Sequence, residues 1–110
     1  MNFADANFLD QQQLNTSTAY SKGGVDRVFN YSPKDIDANF HKKNGKILNQ
    51  PRGCGFWLWK PYFILKTLYK IKNEDFLFYC DSGAYFIDKI SHLCDFSIIN
   101  NIYLLRCELI

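Results

Sequence analysis

The chain reads as an α/β protein, a mostly parallel sheet with helices on both faces. Three observations predict this. Strand-like and helix-like segments alternate along the chain, which is the pattern of parallel sheets covered by crossover helices. The run Phe76-Leu77-Phe78-Tyr79-Cys80 is continuously apolar, as a strand buried on both faces must be. It ends on Asp81, followed by Ser82-Gly83, so a carboxylate stands at the carboxyl edge of the sheet, where open α/β sheets bind ligands.

The elements follow in order. Met1 to Ala4 is a short apolar segment ending on Asp5 and reads as a first strand. Asn7 to Lys22 lacks proline and glycine, and Gly23-Gly24 closes it like a helix C-cap. Val25 to Tyr31 reads as a second strand, broken by Ser32-Pro33. Ser32 then caps a helix with Pro33 at its first position, and Phe40, His41 and Ile47 lie along it. Asn49 to Gly55 is a loop whose two glycines flank Cys54 and demand backbone freedom or close approach to a neighbour. Trp57 to Ile71 is the clearest helix, with Ile64, Leu65, Leu68 and Ile71 on one face and Lys66 and Lys70 on another. Pro61 belongs in its first turn. Asn73 to Asp75 turns into the central strand, Phe76 to Cys80. A short helix is expected within Tyr85 to Asp95, and a last strand within Ile98 to Ile110 around Ile102-Tyr103-Leu104-Leu105.

The 110 residues suffice for one domain, residues 1–110. Such a domain buries roughly two thirds of the surface its unfolded chain exposes. Apolar content of 47% and aromatic content of 17% exclude a disordered chain. A net charge of +2 is too small to argue for nucleic acid. The clustered lysines, from Lys42, Lys43 and Lys46 to Lys60, Lys66, Lys70 and Lys72, suit an anionic small molecule or simply form a solvated helix face. Cys54, Cys80, Cys94 and Cys107 lack paired CxxC spacing, which argues against zinc and for reduced thiols in a cytoplasmic protein. No stretch approaches the ~18 apolar residues of a transmembrane helix, and the start lacks a signal-peptide pattern.

The residues that can carry chemistry cluster in two places. Asp81 is a hard oxygen ligand suited to Mg2+ or Mn2+, with Ser82 beside it; Asp-Ser-Gly is also ordinary turn chemistry. Arg52-Gly53-Cys54-Gly55 precedes a helix N-terminus, a place that attracts anions, and Arg52 can hold a phosphate through two hydrogen bonds. It is neither a P-loop nor a GxGxxG pattern. Trp57 and Trp59, two residues apart, cannot easily share one core face. One packs inside while the other lines a cleft, unless both cover the sheet. Lys60 can meet a phosphate as a point charge. Asp5, at the end of the first strand, is placed to contact a nucleotide. His41 and His92 have no ligand-like partners at useful spacing, and no Ser-His-Asp or Cys-His arrangement can be assembled.

The string Arg52-Gly53-Cys54-Gly55-Phe56-Trp57-Leu58-Trp59-Lys60-Pro61-Tyr62, with the strand end Tyr79-Cys80-Asp81-Ser82-Gly83, resembles a family of bacterial and viral glycosyltransferases with a GT-A-like, Rossmann-like fold. Asn2-Phe3-Ala4-Asp5 and Tyr31 to Asp37 are similar to it as well. The Trp-x-Trp-Lys-Pro string is the specific part. The resemblance implies a nucleotide-sugar donor site made by Asp5, Arg52, Gly53, Trp59, Lys60, Asp81, Ser82 and Gly83, and a glycan or lipid-linked acceptor. It implies a divalent cation, Mn2+ or Mg2+, on Asp81, the first acid of an Asp-x-Asp pair. Gly83 stands where the second acid is expected. It also implies that these residues are the N-terminal, donor-binding half of a longer enzyme whose catalytic base lies elsewhere. The competing expectation is a binding module that keeps the fold without turnover.

Overall fold

The computed structural model describes residues 1–100. About half of them are helical, and the sheet is minimal. Strands β1 (Asn2–Phe3) and β2 (Asn30–Tyr31) pair in parallel, with Asn2 opposite Asn30 and Phe3 opposite Tyr31. Around them lie α1 (Leu9–Ser21), α2 (Ala38–Leu48), the single turn α3 (Gly53–Phe56), α4 (Trp59–Leu68) and α5 (Ser91–Asn100). Short 3-10 turns at Ala6–Phe8 and Pro33–Asp35 lead into α1 and α2.

The expected Rossmann-like, mostly parallel sheet with helices on both faces is therefore incorrect for the described residues: the sheet has two strands of two residues each. The cause is local. β1 ends after Phe3 because Asp5 immediately caps the next turn, accepting the Asn7 N–H at 2.9 Å. β2 starts only at Asn30, since residues 25–29 form no ladder. Phe76 to Cys80, expected as the central strand, lies against the chain start without joining the sheet as a strand. The Met1 amino group donates to the Phe78 carbonyl at 2.5 Å, and the Cys80 N–H donates to the Met1 carbonyl at 3.2 Å. Those two bonds clasp the segment, but the ladder cannot extend past the short β1. The expected last strand at 102–105, and Cys107, lie outside the described residues.

The helix before the glycine pair forms as the sequence predicts. It ends where the Lys22 and Gly23 N–H groups both reach the Thr18 carbonyl and Gly24 takes φ +67°. The Ser32-Pro33 signal marks only a 3-10 turn, in which Ser32 donates its N–H and hydroxyl to Asp35 Oδ2. The helix proper starts later, capped by Asp37, whose Oδ1 accepts the Phe40 N–H at 2.8 Å. Asp37 also accepts the Tyr62 hydroxyl at 2.5 Å, which ties α2 to α4.

The core is an aromatic stack on the two strands. Phe3 lies face to face with Trp59 at 3.9 Å between ring centroids, and Tyr31 with Phe63 at 4.3 Å. The buried stripe of α4 is thus Trp59, Phe63 and Thr67, spaced four apart along one helix face. Leu65 and Leu68, on the apolar face read from the sequence, are exposed. The α1 helix buries a polar stripe, Asn15 and Thr18 beside Ala19. Among the described residues no helix is long and apolar enough to cross a membrane.

Candidate functional site

A cleft of about 440 Å3 opens where the end of β1, the α3 turn, the start of α4 and the Asp81–Gly83 turn meet. Its walls include Asp5, Phe8, Gly53, Cys54, Trp57, Trp59, Lys60, Asp81, Ser82 and Gly83. The structure thus gathers most of the residues singled out in the sequence onto one surface. Arg52 is not part of the wall; its guanidinium sits 5.9 Å from the Trp57 ring, just outside.

The approach to α4 has unusual backbone geometry. Gly53, Cys54, Gly55, Phe56 and Trp57 all have positive φ, from 50° to 90°. The Phe56 N–H bonds to the Arg52 carbonyl at 2.8 Å and the Trp57 N–H to the Gly53 carbonyl at 3.0 Å. The segment is one left-handed helical turn, in which each non-glycine residue costs roughly 1–2 kcal/mol. Gly55 permits it, because a Cβ there would lie 2.7 Å from the Leu48 Cα. Gly53 lies under the Trp57 ring, where a Cβ would come within 2.5 Å of the indole. The turn reverses the chain sharply, leaving Trp57 45% exposed at the rim while Trp59 points inward at 6%.

Trp59, expected in the donor site, lines the cleft but is the tryptophan that packs inside. Its face is covered by Phe3, and its indole N–H donates to the Gly53 carbonyl at 3.1 Å, so it supports the turn and closes the cleft floor. The exposed aromatic walls are Trp57, one of the two tryptophans expected to divide between core and cleft, and Phe8, which no sequence motif marks. The i, i+2 spacing of the tryptophans already required one of them to face outward. It did not say which.

Lys60 and Asp81 form the electrostatic centre. Lys60 Nζ lies 3.4 Å from Asp81 Oδ1, with both side chains partly exposed. The same oxygen accepts the hydroxyl of Tyr79. Burial first, then the bond to Asp81 and its charge, hold the Tyr79 phenol well above its usual range, so it stays a donor. The Lys60 ammonium also lies 5.3 Å from the Tyr79 ring centre and 5.6 Å from that of Trp59. Burial, helped by the Asp5 charge, pushes the Cys54 thiol up, so it lines the cleft as a neutral thiol rather than a thiolate nucleophile. Ser82 is buried beneath the turn.

The residues do not fit the divalent-cation site that the resemblance implies. Among the described residues no group of three His, Cys, Asp or Glu side chains converges as metal ligands. One oxygen of Asp81, Oδ1, is instead shared by an ammonium and a phenol.

No family model matches the chain, and no curated protein or solved structure matches it either.

Proposed function

We propose that this cleft binds the nucleotide-diphospho-sugar donor of a glycosyltransferase, for transfer of its sugar to a glycan or lipid-linked acceptor. One observation carries the reading. The two strings that resemble that family, Arg52 to Tyr62 and Tyr79 to Gly83, are separate in sequence, yet they meet through the Lys60–Asp81 contact on one cleft. The reading rests on the cleft and not on the sheet. Trp57 and Phe8 offer flat apolar faces to a base or pyranose ring. Asp5 and Asp81 are acceptors for ribose or sugar hydroxyls. Lys60 has further N–H donors to turn toward a phosphate, and Arg52 stands just outside the cleft.

The engaged state of Asp81 supports the narrower form of this reading, donor binding without turnover by these residues alone. A carboxylate that already accepts from Tyr79 and pairs with Lys60 is poorly suited to take a proton from an acceptor hydroxyl.

Calorimetric titration of the protein with UDP- and GDP-sugars tests the proposal. Saturable binding that Asp81→Ala weakens is the expected result. Absence of binding to either nucleotide, or equal binding by Asp81→Ala, rules out the assigned role.

A further inference from the structure

We infer that Lys60, held in place by Asp81, takes the position that a divalent cation would occupy, so that phosphate is met by an ammonium rather than by a metal ion. This rests on the donor-site reading above and specifies how that site handles charge.

The argument is geometric. Asp81 Oδ1 has the Lys60 ammonium 3.4 Å away and also accepts the Tyr79 hydroxyl. A dication placed on that oxygen would sit against an ammonium, a repulsion that the half-exposed setting screens only in part. Other contacts favour this placement of Lys60. It is the second residue of α4, its backbone is anchored by the bond from its N–H to the Trp57 carbonyl, and its ammonium lies near the rings of Trp59 and Tyr79. Aromatic faces attract an ammonium and leave it able to donate elsewhere. Gly83 withholds the second acid that an Asp-x-Asp pair would offer a cation. Toward phosphate, Asp81 is then a positioning residue that acts through Lys60.

The test has two independent arms. In the first, UDP and GDP are titrated calorimetrically in EDTA and in Mn2+. Equal affinity in both is expected. Lys60→Met should weaken binding about tenfold or more, with Lys60→Arg restoring most of it. Binding that requires Mn2+, or a Lys60→Met protein that binds as well as wild type, overturns the inference. In the second arm, free Mn2+ is followed by electron paramagnetic resonance without nucleotide. The wild-type and Asp81→Asn proteins should leave the same free signal. Mn2+ captured by wild type and released by Asp81→Asn overturns the inference by itself. If neither nucleotide binds under any condition, the donor reading fails and the phosphate role of Lys60 fails with it. The resonance arm still decides separately whether Asp81 is a cation ligand.

Discussion

Asn15, in the middle of α1, donates its side-chain amide to the carbonyl of Ala84 at 2.9 Å. The same amide lies 3.3 Å from the Asp81 carbonyl, and its oxygen accepts the Asn2 amide at 2.8 Å. One buried side chain therefore fastens the Asp81–Ala84 turn to the start of the chain, and so holds Asp81 at the cleft. Asn15→Leu keeps the size but leaves Asn2 and two turn carbonyls without this partner. Each unsatisfied buried group costs about 1–3 kcal/mol. The expected loss is about 2–4 kcal/mol in urea unfolding. An Asn15→Leu protein as stable as wild type would show that the amide is dispensable.

Two glycines predict opposite signs for one substitution. Gly55 sits at φ +90° with its α-carbon face against Leu48, so Gly55→Ala combines left-handed strain with a backbone clash. Its expected cost is about 2–4 kcal/mol. Gly45 lies inside α2, where a Cβ would find only the Asn49 amide at 3.9 Å. There alanine gains helix propensity, and Gly45→Ala should stabilise by up to about 1 kcal/mol. Thermal unfolding of the two variants side by side checks both signs. A stabilised Gly55→Ala would mean the left-handed turn does not form.

What the sequence shows and hides can be traced to particular residues. The end of α1 is legible because Gly24, at φ +67°, is a backbone signal, while Gly23 leaves room for the Phe86 ring. The clustering of Lys60 and Asp81 is reached only through the resemblance of two short strings, since spacing alone does not say that a loop and a helix start will face each other. Phe76 to Cys80 misleads because a run of five apolar residues fixes neither a ladder nor full burial: Phe76 is exposed and the other four are half-buried. Its pairing depends on the length of β1, which Asp5 cuts short. The burial of α1 is hidden for the opposite reason. Its inward stripe is Asn15 and Thr18, so no apolar periodicity exists to read. On α4, Leu65 and Leu68 make an apolar face that competes in the sequence with the Trp59, Phe63 and Thr67 stripe. The aromatic stack on β1 and β2 selects the latter.

The buried amino terminus sets a pH dependence. Burial pushes the Met1 amino group down to about 6 from an ordinary value of 8.0, against a smaller opposing effect of Cys80. Between those values the unfolded chain holds a proton that the folded chain has lost, so stability rises with pH across that window. The gain from pH 6 to pH 8 is about 2 kcal/mol, and well below or above the window this group adds no slope. Urea midpoints across this range measure it. The experiment belongs in a His41→Gln/His92→Gln background, which holds no other imidazole. A flat profile there would show that the amino group is not buried as described.

The two tryptophans separate folding from binding. Trp59 is stacked on Phe3 and bonded to the Gly53 carbonyl, so Trp59→Ala opens a cavity in the aromatic core and should cost about 3–5 kcal/mol. Trp57 stands at the rim with nearly half its surface in water, and its substitution by alanine should cost about 1 kcal/mol or less. If its face receives a base or sugar ring, Trp57→Ala should weaken nucleotide-sugar binding about fivefold to tenfold, the worth of one stacking contact. Trp57→Phe should recover part of that loss because it keeps a flat face. Calorimetric affinities and urea midpoints on the same proteins distinguish the effects. A Trp57→Ala protein with wild-type affinity would place the ligand's ring elsewhere in the cleft, and Phe8 is the other exposed aromatic wall to substitute next.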